Sequence, residues 1–153
     1  KLQPGDELID MSRLEEGQQI LAITTGGYGK RTDPDQYREQ GRNGMGIRAM
    51  ALTDRTGELA AQLAVYENED IMLITDDGTI IRMAVSDIRE SGRNTQGVRL
   101  MRLSDGAKIV GVARAEQEEP EEADETAFEE AVAKMTDETE TVVDGSDGGD
   151  EEI

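Results

Sequence analysis

Two seven-residue loops carry the residue types best suited to chemistry: Gln40-Gly41-Arg42-Asn43-Gly44-Met45-Gly46 and, 51 positions on, Ser91-Gly92-Arg93-Asn94-Thr95-Gln96-Gly97. Glycines on either side of an arginine let main-chain N–H groups come close to a phosphate while the guanidinium forks onto its oxygens. Gly41, Gly44, Gly46, Gly92 and Gly97 are the candidate cradle, and Arg42 and Arg93 the candidate anion ligands. A second reading stands beside this one, in which glycine and asparagine serve turn geometry alone. Around the loops lie further cations: Lys30-Arg31 after a glycine-rich turn, Arg82 at the position equivalent to Arg31, and Arg48, Arg99 and Arg102 beside the loops. These suit contact with a phosphate backbone rather than the reading of bases.

Composition excludes most catalysis. The 153 residues contain no Cys and no His, which removes thiolate nucleophiles, disulfides, imidazole bases and Cys/His zinc sites. Tyr28, Tyr37 and Tyr66 have no base constellation near them in the sequence, and the glycine patterns of mononucleotide and dinucleotide sites are absent. Asp144, Asp147, Asp150, Glu151 and Glu152 do not follow the alternating ligand order of a calcium loop and read as a solvated acidic end. With neither a membrane-length apolar run nor a signal-peptide pattern, a soluble, cytoplasmic protein without membrane contact is expected.

The net charge of -19 is unevenly placed. Residues 1–115 hold 18 acidic and 15 basic side chains, whereas 116–153 hold 17 acidic and 1 basic. The low isoelectric point therefore belongs to a tail, and the cations of the body are mostly Arg. The tail either keeps the protein soluble or competes with phosphates for the basic side chains.

The elements that must position the loops follow from an internal repeat. Ile20 to Asp54 lies over Ile71 to Asp105 without a gap, so Thr24 meets Thr75, Gly27 meets Gly78, Arg31 meets Arg82 and Gly46 meets Gly97. Modules of this period stack or close into rings, because one alone cannot bury its apolar face. Period-two patterning at Leu8–Met11, Ile20–Ile23, Ile47–Leu52 and Val98–Leu103 predicts short strands. Thr25-Gly26-Gly27 and Asp76-Asp77-Gly78 predict hairpin turns.

The expected fold class is all-β, a propeller-like repeat of four-stranded blades. Residues 1–16 end a preceding blade, 17–66 and 67–115 form two complete ones, and the chain reads as a piece of a longer one. Residues 116–153 are expected to be a mostly disordered acidic tail, with a short helix over 126–136 introduced by the capping box of Thr126 and Glu129.

The sequence ILAITTGGYGKRT followed by QGRNGMG, then IMLITDDGTIIR followed by SGRNTQGV, closely resembles the C-terminal domain of DNA gyrase A over residues 1–115. The resemblance implies a β-pinwheel, a propeller variant that wraps duplex DNA around a basic outer rim and supports ATP-dependent negative supercoiling by a type II topoisomerase. Gln40, Arg42, Gly44 and Gly46 match the family's heptapeptide Gln-Arg-Arg-Gly-Gly-Lys-Gly, while Gly41, Asn43 and Met45 depart from it. The loop is thus read as its counterpart in a later blade.

By the same resemblance, Lys30, Arg31, Arg42, Arg48, Arg82, Arg93 and Arg99 are the expected DNA contacts. The implied partners are double-stranded DNA, gyrase B and a second gyrase A in a heterotetramer. No cofactor is expected in this segment, ATP and Mg2+ being held elsewhere in the holoenzyme, as is the strand-cleaving tyrosine. The corresponding domain of topoisomerase IV, and a propeller-type protein-interaction module without DNA, are the alternatives.

Overall fold

The computed structural model describes residues 2–117. Apart from Glu116 and Gln117, the acidic tail and the helix expected over 126–136 lie outside the described residues. Seven strands form two antiparallel sheets: β1 (Gln19–Thr24), β2 (Tyr28–Thr32), β3 (Leu59–Val65), β4 (Glu69–Thr75), β5 (Ile80–Ala84), β6 (Val98–Arg99) and β7 (Ile109–Glu116). The first sheet runs β3-β1-β2-β6 and the second β5-β4-β7. Single 3-10 turns at Pro34–Gln36 and Val85–Asp87 follow β2 and β5. Among the described residues no helix is long and apolar enough to cross a membrane.

The repeat is written into the backbone at equivalent points. Both hairpins turn through a glycine with positive φ, Gly27 at 82° and Gly78 at 86°. In each, a buried threonine hydroxyl closes the turn: Thr24 Oγ1 accepts the Tyr28 N–H at 3.2 Å, and Thr75 Oγ1 accepts the Thr79 N–H at 3.0 Å. The register slips in both sheets where the central strand ends, between Ile23 and Thr24 and between Ile74 and Thr75. The offset of 51 falls to 50 at the last strand, since Thr24 faces Leu59 whereas Thr75 faces Ile109. The second unit is therefore one residue shorter in the turn before that strand.

Four strands per unit hold only for the first sheet, and only because β6, from the second unit, pairs with β2 through Tyr28 opposite Arg99 and Gly29 opposite Val98. The second sheet has three strands. Ile47–Leu52, the first-unit counterpart of β6, is not a strand, and neither is Leu8–Met11. Both sheets leave edges, at β3 and β6 and at β5 and β7, yet neither segment pairs with one, and Leu8 and Met11 are exposed. Alternation alone does not make a strand when the ladder hydrogen bonds have no partner.

One apolar core serves both sheets. Leu21 and Ile23 from β1, Val65 from β3, Ile71 and Leu73 from β4 and Ile109 from β7 meet Val85, Ile88 and Met101 in a single cluster. Strand β1 is buried on both faces, while β4 alternates buried and half-buried positions. Each large aliphatic side chain so enclosed contributes about 1.5–3 kcal/mol.

The β4–β5 hairpin also sets an acid limit. Asp77 accepts from the Thr75 hydroxyl and, at 3.1 Å, from the Thr79 N–H. These bonds, the hydroxyl first, hold its carboxyl down at about 2. A folded-state value below the unfolded one gives stability that is complete above about pH 4 and is lost as pH falls toward 2. Asp77→Asn is expected to flatten that stretch of the stability curve, read as urea midpoints at pH 5 and pH 2.5. An unchanged slope contradicts this role for Asp77.

Candidate nucleic-acid interface

Strand β2 carries the first candidate pair, and a segment of the second unit encloses it. From Arg89 to Met101 the second unit runs along β2. Arg31 N–H donates to Arg89 O at 3.2 Å, Ser91 N–H donates to Arg31 O at 2.9 Å, and Leu100 N–H donates to Gly27 O at 2.8 Å. The arginine-bearing loop of the second unit thus lies on the first unit, closing the space that would otherwise leave Lys30 and Arg31 in solvent.

Lys30 is fully buried. Its ammonium donates into the loop, to Gly92 O at 2.7 Å, Arg93 O at 2.6 Å and Thr95 O at 3.2 Å, with Thr95 Oγ1 at 3.3 Å. Burial, and after it the nearby Arg93 guanidinium, pull its pKa down to about 8. Arg31 is 7% exposed. Its Nε donates to Ile88 O at 2.6 Å and its Nη1 to Gln19 Oε1 at 2.8 Å, with Glu67 Oε1 at 3.3 Å. The sequence places both at a phosphate, and the structure corrects both to internal struts that fasten the second unit to β2. The reason is exclusion: neither head group is open to a bulky anion.

Arg82, equivalent to Arg31, donates from Nε to Asp70 Oδ2 at 2.7 Å and from Nη2 to Glu116 O at 2.8 Å. It ties the β5-β4-β7 sheet side to side, its charge paired with Asp70 while the side chain stays partly exposed. Gly97 is corrected too. With φ at 73°, it lies where a Cβ would run into Gly29 O, so it permits β6 to approach β2 rather than opening backbone to an anion.

The remaining loop cations keep open surfaces. Arg93 is half-buried: its N–H donates to Gln36 Oε1 at 3.2 Å, its Nη1 donates to Arg48 O at 2.9 Å, and its guanidinium sits 5.8 Å from the centre of the Tyr37 ring. The bond to Arg48 brings Arg93 of one repeat against Arg48 of the other. The Gly92 carbonyl is taken by Lys30. Arg42 is exposed, Gly41 and Gly46 have open space beside them, and Gly44 packs against the Gln40 side chain.

A third group of residues gathers at Tyr28. Arg99 on β6 donates from Nη2 to the Tyr28 hydroxyl at 2.9 Å, and its guanidinium lies 5.5 Å from the ring centre. Arg55 lies 5.3 Å from the same centre and donates from Nη2 to Gln96 Oε1 at 3.2 Å. Arg102 lines the depression beside them. Neither Tyr28 nor Arg55 stands out as a ligand in the sequence. Arg55 occupies the turn that is one residue longer than its counterpart, so comparing the repeats passes over it.

Carboxylates pair with few of these cations. Among the described residues, Arg31, Arg82 and Arg114 have a carboxylate within 4.0 Å, whereas Arg42, Arg48, Arg55, Arg93, Arg99 and Arg102 have none. The six exposed or half-exposed guanidiniums of the loops and the β2–β6 seam, with no carboxylate within 4.0 Å among the described residues, make a surface open to salt or to an anionic polymer.

Known proteins share this arrangement of repeats. The family described as DNA gyrase C-terminal domain, β-propeller, matches residues 18–62 and 69–116. The DNA gyrase A protein of Streptomyces coelicolor is 40% identical over 146 residues, 95% of this chain and 17% of that protein. Its counterpart in Pseudomonas aeruginosa is 43% identical over 117 residues, 76% of this chain and 13% of the relative. That of Staphylococcus epidermidis is 36% identical over 150 residues, 97% of this chain and 17% of the relative. The chain thus spans about a sixth of the length of such relatives. In fold it is similar to a solved DNA gyrase A C-terminal domain, with a TM-score of 0.61 at 21% identity over 68% of this chain and 40% of that one. A topoisomerase IV C-terminal domain gives a TM-score of 0.62 at 20% identity over 76% and 36% of the two chains.

Proposed function

Because the chain belongs to the DNA gyrase C-terminal domain family, an all-β propeller family, we propose that it is the part of gyrase A that holds duplex DNA and bends it around its edge. The observation that carries this reading is the set of six guanidiniums, drawn from both repeats, with no carboxylate within 4.0 Å among the described residues. Sequence relatives named for gyrase A at 36–43% identity favour gyrase over topoisomerase IV.

The mechanism is one of charge and shape. Bending a site of about 20–30 base pairs costs on the order of 1–6 kcal/mol of elastic energy. Counter-ions released as each phosphate meets a guanidinium must exceed that cost, which ties affinity steeply to salt. Arginine suits the task, because its fork meets two phosphate oxygens at once and stays charged. Aromatic residues are 3% of the chain, with no Trp, so a platform for stacking single-stranded bases is disfavoured.

Strand cleavage, ATP and Mg2+ belong in this reading to other regions of a cytoplasmic holoenzyme that contains gyrase B and a second gyrase A. Among the described residues, no three acidic side chains are grouped to hold a metal. The segment binds and bends without cutting.

Sealing nicked plasmid circles in the presence of intact gyrase A tests the proposal. Circles closed on a wrapped duplex are expected to carry a displaced linking number once protein is removed. An unchanged topoisomer distribution with the protein demonstrably bound overturns wrapping and leaves a duplex-binding domain that does not bend its ligand, whereas absence of binding leaves a protein-interaction propeller.

A further inference from the structure

We propose that Tyr28, Arg55, Arg99 and Arg102 form a binding site for a phosphate chain that straddles the two repeat units and, when filled, clamps them together. The inference deepens the reading of the chain as a duplex-holding domain and rests on it for the identity of the natural ligand.

Two guanidiniums share one tyrosine ring, at 5.3 and 5.5 Å from its centre, and a third lines the same depression. None has a carboxylate within 4.0 Å among the described residues. Like charges so gathered repel one another, and their mutual cost falls when an anion with several acceptor oxygens sits between them. The Tyr28 hydroxyl is held by Arg99, and its pKa is lowered by that bond first and by the charges of Arg55 and Arg99 after it. Beyond the Nη2 bonds to the Tyr28 hydroxyl and to Gln96 Oε1, each guanidinium has further N–H donors to offer a ligand.

Tyr28 and Arg55 come from the first unit, Arg99 and Arg102 from the second, which reaches over through the β2–β6 pairing. An anion bridging the four side chains joins the same elements as that short pairing, in which Gly29 faces Val98. A ligand that binds only the assembled seam stabilises the seam. The second unit cannot build a copy. Thr79 stands at the position of Tyr28, the one-residue-shorter turn of the second unit, Ser104 to Lys108, holds no arginine to match Arg55, and Ala51 is the first-unit counterpart of Arg102. The depression is open and lined by Gly26, Leu103 and Met101 beside the cations, with room for a chain that enters and leaves.

The ligand chemistry, successive phosphates on one chain, is found both in duplex DNA and in free polyphosphate. The test therefore uses intact gyrase A with inorganic tripolyphosphate, with a short duplex of arbitrary sequence, and with Arg102→Gln and Arg55→Gln variants. Arg102 makes no hydrogen bond or ion pair among the described residues, so its removal is expected to leave the unliganded melting temperature unchanged. In the native protein, tripolyphosphate is expected to raise the melting temperature by several degrees, and duplex to slow amide exchange at Leu100 and Met101 about tenfold. Either variant is expected to lose both effects, to bind duplex about 5- to 20-fold more weakly and to lower the salt slope by about one phosphate.

Duplex binding with its full slope in both variants overturns the site and leaves the general reading intact. Tripolyphosphate stabilisation that depends on Arg102, without any duplex binding, keeps the site with free polyphosphate as its ligand and removes the DNA reading. Absence of both responses in the native protein overturns the proposal outright.

Discussion

Lys30→Met is expected to lower the stability of the domain by about 3 kcal/mol while changing the salt slope of duplex binding little. The substitution keeps the apolar stem and removes the ammonium that Gly92 O, Arg93 O and Thr95 O share. Bonds from a charged donor contribute about 1.5–3 kcal/mol each, and a buried carbonyl left without a partner costs about 1–3 kcal/mol. Relief of the desolvation of a buried charge offsets part of that loss, which leaves the smaller net figure. Urea unfolding reads the stability. Amide exchange at Ala51, whose N–H donates to Thr95 O at 3.0 Å, reads the loosened loop. A direct phosphate contact would show the opposite pattern, with stability unchanged and the slope reduced by about one phosphate.

The pH dependence carries the same signature. With a folded-state pKa of about 8, below the ordinary lysine value of 10.5, Lys30 sheds its proton in the folded state first. The unfolded chain then binds more protons between those values, so the native protein gains stability relative to Lys30→Met as pH rises from about 8 toward 10.5.

Gly97→Ala is the second large effect. At φ 73° any side chain is strained, by about 1–3 kcal/mol, and here the added Cβ also meets the Gly29 carbonyl and lies 3.1 Å from Met50 Cε. A total of about 2–4 kcal/mol is expected, with β6 displaced from β2 and Arg99 carried away from Tyr28. Gly46→Ala at the equivalent position is the control, because its φ of 77° is as unfavourable but the space beside it is open. It is expected to cost about 1 kcal/mol, the lower end of that strain range. Equal losses in the two variants, measured by thermal unfolding, would mean that the seam contributes nothing.

The repeat makes much of this structure legible from residues alone. Positive φ at Gly27 and Gly78 and at Gly46 and Gly97, and the twin threonine latches, stand where the alignment of the two units puts them. What alignment cannot show is which sheet a strand joins. Ile47–Leu52 and Val98–Leu103 have the same alternation, yet only the second reaches a partner, in the sheet of the other unit. That exchange buries Lys30 and Arg31, which in sequence look like exposed strand cations between glycine and threonine. The candidate site is legible at Arg93, Arg48 and Arg99, because loop and strand cations repeat. It is hidden at Arg55 and Tyr28, because Arg55 occupies a one-residue excess and Tyr28 signals only when its neighbours in space are known.

The central claim is that exposed guanidiniums, not a catalytic group or a base reader, hold a duplex by its phosphates. Its most direct test is the salt dependence of duplex affinity for intact gyrase A, native and with Arg42, Arg48, Arg93 and Arg99 all changed to Gln. The native logarithmic plot is expected to be linear, with a slope of about -0.9 for each phosphate neutralised, and the variant slope shallower by several phosphates' worth at similar stability. Parallel lines with equal affinity for the two proteins would contradict the account.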